Sequence, residues 1–421
     1  MVASTDIKFY VHTNNNAPQL QNAYGSMINV LDACLVDGIN IGTVSSLTAS
    51  GTTATALFSA SHNLMQYQVI KITGAAQSEF NGEHRILTVP NAQSVTFELT
   101  AAPSVATATG TITASLPPLG WEKPFSSSNP NGGGKAAYRS LNLLLPSRPF
   151  LRVVDELDPA YTATYAKYAK VGIVEDMTDI DTMLGAQAPF DAVNPNKNWV
   201  GTGSGASAIN GWAKWFYATG GNETQKVSKT TTPGSGERAW VLVGDGDTFY
   251  VFNKSHIVAN NLLNPNGFGR LKNLSKIGAS PWFLVAQDDY TGANTVTYAG
   301  FTPLTASNTD AALITYMLRN YRNEAIPSIA RSFAISGLNQ ASGYSTTFSS
   351  PDDHIAAFSS EYILAEDQKT PRGIVPILRW LHQRQPYTHL QPMIDDGHMK
   401  LACDCVSYTY QGQILFDLGE L

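Results

Sequence analysis

Charge is what this sequence has least of. Of its 421 residues only 14% are Asp, Glu, Lys or Arg, where an ordinary soluble domain carries roughly a quarter. The 33 acidic and 27 basic residues leave a formal charge of −6, and no long basic tract interrupts the balance. Non-specific binding to a phosphate backbone depends on clustered Lys and Arg, so no nucleic-acid partner is expected. Cysteine is also scarce, with Cys34, Cys403 and Cys405 alone, an odd and sparse set that argues against a disulfide framework. No uncharged apolar run approaches the ~20 residues of a membrane-spanning helix, and no membrane partner is expected. The opening MVASTDIKFYVHTNNN has neither a basic leader nor an apolar core. No signal peptide is therefore expected, and the chain reads as made in a reducing cytoplasm.

What is present is a neutral, Ser/Thr/Asn/Gly-rich chain with 43% apolar residues, long enough for two or three domains. DIKFYVHT reads as a first strand. In the next stretch Leu20, Tyr24, Met27, Ile28, Leu31, Cys34 and Leu35 share one helical stripe, with Pro18 suited to the first turn and Gly38 to the stop. Cys34 on that stripe reads as a small core residue. From Gly42 to Ser115 the texture changes to short β-rich runs: TTATALFSA, YQVIKITG, EHRILTV, SVTFELT and ATGTITAS. Val95, Phe97 and Leu99 alternate with Thr96 and Glu98, and Asn81-Gly82 and Pro90-Asn91 supply turns.

The expected organisation follows from these patterns. Residues 1–41 form a strand and helix belonging to the main body, and 42–115 an inserted all-β sandwich or barrel. Residues 116–137 form a linker and 138–421 the main body. The fold class expected is α+β, a mixed, sheet-rich main body carrying the all-β insert. Within the body, Trp240 to Val243 and Phe249 to Phe252 read as a hairpin across Gly244-Asp245-Gly246-Asp247. NTDAALITYMLRNY reads as a helix capped at Asn308 or Thr309, and Asp352, Asp353 and His354 as the start of another.

Reactive residue types do not assemble into a strong motif. His382, His389 and His398 with Asp395, Asp396, Cys403 and Cys405 are metal-ligating types, but their spacings match no zinc template. Cys403 and Cys405, two apart on a strand, read as core positions flanking an outward Asp404. The Gly244–Asp247 turn lacks the further oxygen ligands of a calcium loop. Gly201–Gly211 has glycines but neither the Lys-Ser/Thr of a phosphate loop nor a placed acidic partner. Asp352 and His354 do not make a catalytic set by themselves, and GSGERAW lacks the nucleophile-elbow frame. Trp212, Trp215, Phe216 and Tyr217 could stack on sugar rings, but packing is the simpler role for them. No catalytic, cofactor-binding or metal-binding residue is assigned, no cofactor is expected, and the chain is not read as an enzyme.

The stretch ASHNLMQYQVIKITGAAQSEFNGEHRILTVPNAQSVTFEL resembles a small β domain of tailed-bacteriophage virion proteins. His62, Leu64, Val69, Ile72, Gly74, Asn81, Gly82, Val89 and Phe97 occupy the places of that pattern, and Gln68 stands where an acidic residue is usual. The order of the surrounding phrases, from GSMINVLDACLVDG through WVLVGDGDTFYVF to PRGIVPILRWLH, resembles a family of structural proteins of tailed phages, contractile-tailed ones in particular. That resemblance implies a virion component with no catalytic residues to carry over. The subunit would belong to the tail, at the baseplate or the tube–sheath junction, and be assembled in the host cytoplasm. Its partners would be copies of itself in a three- or six-fold ring and neighbouring tube, sheath or baseplate proteins. The inserted module would dock or decorate from long linkers. A neck, collar or head-decoration protein and a host-glycan-binding tail protein remain the alternative readings.

Overall fold

The computed structural model describes residues 2–204, 211, 213–220, 226–228, 230–257, 260–274, 280–288, 295–297, 314–320, 322, 324–334, 360–367, 370–381, 385–407 and 410–421. Strand β1 (Lys8–Val11) pairs antiparallel with Trp240–Gly244 at one end of a thirteen-stranded sheet. Trp240–Gly244 and Thr248–Asn253 form the expected hairpin. It is buried on both faces: Trp240, Leu242, Phe249 and Val251 enter one core, and Val241, Val243, Tyr250 and Phe252 the other. Burial on both faces is why these strands read as unbroken apolar runs rather than as alternation.

The expected α+β class is wrong: the described chain is nearly all β. Helix α1 covers only Ser26–Leu31 and continues as a wider π turn through Asp37; one further short helical turn spans Ser78–Phe80. The stripe did locate the helix, but not its start. Gly25 is left-handed at φ 86° and breaks the helix upstream. Leu20 is held outside it in a bridge with Arg238. The second expected helix fails more completely. Its described part, Ile314–Arg319, is a strand between Trp282–Val285 and Ala325–Ala334. The segment is paired on both sides and Met317 is buried, so tertiary pairing overrides its helix propensity. Asn308 and Thr309 lie outside the described residues. So do Asp352, Asp353 and His354, and Ser360–Asp367 just beyond them is a strand.

Six strands close into a barrel: β2 (Ile39–Ser50), β3 (Thr53–Phe58), β4 (Val69–Ala75), β5 (Gly82–Asn91), β6 (Ser94–Glu98) and β7 (Gly110–Leu116), in spatial order β2-β3-β6-β5-β4-β7. Closure removes the free edges of so short a sheet. Gly74 is obligatory here. It has φ +85°, and a Cβ on it would lie 2.0 Å from the Thr111 carbonyl oxygen. The barrel interior (Leu47, Phe58, Ile72, Ile86, Phe97, Ile112) is continuous with the body core through Tyr10, Leu35 and Leu119.

The stretch 116–137, expected as a linker, contains two strands. Strands β8 (Trp121–Ser128) and β9 (Gly133–Ser140) form a hairpin turned by Asn129–Gly132, with the Gly132 amide donating to the Asn129 carbonyl at 2.9 Å. They continue into β10 (Phe150–Glu156) and β11 (Lys167–Met177), which pairs with both β12 (Met183–Ala188) and β13 (Ala213–Ala218). With Gln287–Asp288 paired beside β13, they make a seven-stranded sheet that lies over one face of the larger sheet. Trp121, Trp215, Trp240 and Trp282 are fully buried between or beside them. The indoles of Trp121, Trp215 and Trp240 donate to the carbonyls of Asp245, Val285 and Pro18 at 2.8, 2.8 and 2.9 Å. The later strands of the larger sheet itself, Thr370–Leu381, His398–Ser407 and Tyr410–Glu420, build a second core with Val241, Val243, Tyr250 and Phe252 of its hairpin. Among the described residues no helix is long and apolar enough to cross a membrane.

Candidate functional site

The seam between barrel and body is densely hydrogen-bonded. Gln68, at the entrance to β4, is fully buried. Its Nε2 donates to Phe9 O at 3.1 Å and to Asn14 Oδ1 at 2.9 Å, while its Oε1 accepts from Asn14 Nδ2 at 3.0 Å and Met65 N at 2.9 Å. An amide can donate and accept at once; the acidic residue usual in the resembled pattern cannot. On the neighbouring strand, opposite Val69, Arg85 of β5 reaches into the body. Its guanidinium donates to the carbonyls of Ser4 (2.8 Å), Tyr67 (2.6 Å), Ile7 (2.9 Å) and Leu418 (3.2 Å). Burial pulls the Arg85 pKa down to about 10, with Asp6 opposing the shift; the side chain stays charged at neutral pH. Barrel side chains thus bond the β1 carbonyls of the large sheet's terminal strand, and Arg85 joins the two ends of the chain to the barrel.

A second feature is an open polar cleft of about 600 Å³ between the α1 region and the β8–β9 hairpin. Tyr24, Asn29, Lys123, Lys135 and the run Ser126–Ser128 line it. Both lysines are paired, Lys123 with Asp32 at 2.6 Å and Lys135 with Asp181 at 2.7 Å. Gly133 forms part of its wall at φ +73°, where a Cβ would lie 1.9 Å from Asp155 O and 3.0 Å from the Tyr24 Cβ. Beside the cleft, buried Asp155 accepts from the amides of Met27 (3.1 Å) and Ile28 (3.4 Å) and from the Tyr217 hydroxyl (2.5 Å). It supplies the start of α1 with the acceptor that Gly25 lacks. Burial nevertheless pushes the Asp155 pKa up to about 6. The Lys167 ammonium sits 4.9 Å from the Tyr24 ring centroid.

The residues singled out in the sequence scatter into structural roles. Cys403 and Cys405 are buried in the second core, where burial raises the Cys403 thiol well above its ordinary value. Asp404 between them does not face outward freely; it accepts from Gln413 Nε2 at 2.7 Å. His389 Nδ1 accepts from the Asp404 amide at 3.1 Å. Its pKa falls to about 4, through burial first and then the nearby Lys254 and His12. His398 instead pairs with Asp417 at 2.8 Å, and Asp395 with Lys400. Asp396 lies in the turn between them at φ 51°. Among the described residues no three His, Cys, Asp or Glu side chains are grouped to hold a metal; His382 lies outside them.

In the Gly244–Asp247 turn, Asp245 Oδ1 accepts from the amides of Asp247 and Thr248 at 2.8 Å each. Asp247 accepts from Ser140 at 3.0 Å. Both carboxylates serve the hairpin and its contact with β9. Trp215, Phe216 and Tyr217 are buried on β13 and offer no ring to a ligand; Trp212 and residues 205–210 lie outside the described set. Cys34 is buried in the first core. Sequence reasoning passed over Arg85, Asp155 and the cleft. Gln68 left a signal, as the one polar departure within an otherwise matching pattern.

No family model matches the chain, and no curated protein matches it. Among solved structures it is similar to the phage phi92 endosialidase, at 11% identity over 89% of this chain and 67% of that one, with a TM-score of 0.16. Backbones at that score do not share a superposable fold, and nothing is built on the likeness.

Proposed function

We propose that the chain is a structural subunit of a tailed-phage virion, working through protein–protein assembly in the tail, at the baseplate or the tube–sheath junction. One observation carries the reading. The residues behind the sequence resemblance are those the barrel needs to close. Leu64, Ile72 and Phe97 belong to its core and Val69 is buried as well, Gly74 and Gly82 have positive φ, and the Asn81 side chain brackets Ala75 by donating to its carbonyl (2.8 Å) and accepting from its amide (3.1 Å). That the matched positions serve the barrel supports the reading.

Two features favour assembly over a solitary life. The loop after β9 exposes Leu143 (77%) and Leu144 (94%), an arrangement that an interface would bury. The barrel is anchored by Gln68, Arg85 and a shared core, so it serves as a fixed shoulder of the subunit and not as an appendage on linkers. Copies of the chain in a three- or six-fold ring, with neighbouring tail proteins, are the proposed partners. The test is a denaturing gel of purified particles with immunogold microscopy against the recombinant protein. A band and label on the tail are expected. Particles with neither would end the structural reading.

A further inference from the structure

The cleft between Tyr24 and the β8–β9 hairpin has a chemistry that the assembly role does not use. We infer that it is a binding site for a neutral oligosaccharide, taken as an internal stretch of a longer chain.

The first ground is the balance of donors and acceptors. Lys123 and Lys135 line the cleft as donors, and each is neutralised by a carboxylate, Asp32 or Asp181, that lies outside the lining. The hydroxyls of Ser126, Ser127 and Ser128, all exposed, both donate and accept, as a vicinal diol does. A phosphate or carboxylate ligand would instead need a cation left uncompensated, and each lysine lining the cleft already has its carboxylate.

The second ground is shape. The space of about 600 Å³ falls within the roughly 300–1,000 Å³ of small-ligand sites. It is an open groove and not an enclosed pocket, so a polymer can pass through without presenting an end. Tyr24 contributes the aromatic surface. It is half-buried, its backbone is held by the close approach of Gly133, and the Lys167 ammonium lies over its ring. A rigid ring presents contact area at little entropic cost. The buried Trp215, Phe216 and Tyr217 cannot do this. The inference stands on the cleft alone and does not require the chain to be a virion protein.

The experiment is calorimetric titration of the full-length protein with hexasaccharides of α-1,4-glucose, β-1,4-glucose, β-1,4-N-acetylglucosamine and α-1,6-mannose. Inorganic phosphate and a hexamer of galacturonate serve as charged probes. At least one neutral hexamer is expected to bind with a Kd of roughly micromolar to millimolar, more tightly than its own monosaccharide. Tyr24→Ala should weaken it about tenfold or more. Because Tyr24 is half-buried, Ser127→Trp provides a second variant; it fills the groove from an exposed position and should abolish binding while leaving the unfolding midpoint unchanged. The inference is overturned if no neutral hexamer binds, if a charged probe binds more tightly than all of them, or if Ser127→Trp binds as the parent does.

Discussion

Gln68 and Asn14 exchange two side-chain hydrogen bonds, 2.9 and 3.0 Å long, across the seam between the barrel and the sheet body. Each uses its remaining capacity on backbone. Gln68 reaches Phe9 O and Met65 N, while Asn14 reaches Val11 N at 2.9 Å and Asn63 O at 2.9 Å. The seam is therefore a closed polar network in a dry place, and such networks are costly to leave partly satisfied.

Gln68→Glu keeps the shape and removes the donor. Phe9 O and Asn14 Oδ1 would lose their partner and a carboxylate would be buried beside them. A loss of about 2–4 kcal/mol is expected, read by urea unfolding. Stability within about 0.5 kcal/mol of the parent would show that the network does not hold the seam.

Arg85→Met preserves much of the side-chain volume but leaves the carbonyls of Ser4, Ile7, Tyr67 and Leu418 short of a donor. The expected cost is about 2–4 kcal/mol. Amide exchange should quicken in the first strand and in Tyr410–Glu420 before it does in the hairpin at Trp240. Uniform exchange across all three would contradict the anchoring role.

Asp155 gives a pH prediction with a definite sign. Its pKa in the folded chain is raised from 3.8 to about 6 by burial, so the folded state holds a proton that the unfolded state releases. That contribution to stability is fully present below pH 3.8 and is lost as pH rises through about 6. Its size is on the order of 3 kcal/mol. Relative to Asp155→Asn, the parent should therefore gain stability as pH is lowered from 7 to 5. A difference between the two that stays flat over that range would refute the assignment.

His389 runs the other way. Its folded pKa is lowered to about 4 from 6.5, so the neutral ring is favoured by folding. The stability it contributes is present above pH 6.5 and is lost as pH falls towards 4. His389→Gln should flatten the acid limb of the stability profile in this window. An acid limb identical to the parent's would sink the prediction.

How much of this was legible beforehand depends on how locally each feature is encoded. The barrel strands that alternate apolar and polar residues, such as Ser94–Glu98, were readable because Val95 and Phe97 are buried while Thr96 and Glu98 between and after them are only half-buried. The barrel's first strand, Ile39–Ser50, was not among the runs recognised. Its apolar positions Ile39, Ile41, Val44 and Leu47 lose their phase at two bulges, between Asn40 and Gly42 and between Val44 and Ser46. The β8–β9 hairpin was taken for a linker because Ser126–Ser128 and Asn129–Gly134 look like loop composition; only the burial of Trp121 and Ala136 reveals a sheet. Ile314–Arg319 read as helix although Ala325–Ala334 follows it as a hairpin partner; its other partner, Trp282–Val285, lies distant in sequence. Arg85 and Asp155 were invisible for a related reason: the partners of Arg85 are backbone carbonyls contributed from both ends of the chain, and those of Asp155 are amides and a hydroxyl contributed by distant segments.

The central claim is that the barrel is built into the subunit. It is tested most directly by removing residues 42–115 and joining Ile41 to Leu116 through a short glycine link. Leu116 already faces Ile39 across the strand pair, so a short link can span the join. Deletion would uncover Tyr10, Leu35 and Leu119 and remove the donors of Phe9 O and Ile7 O. The account predicts that the shortened chain shows no cooperative thermal unfolding transition. A soluble monomer that unfolds in one transition close to that of the full chain would contradict it.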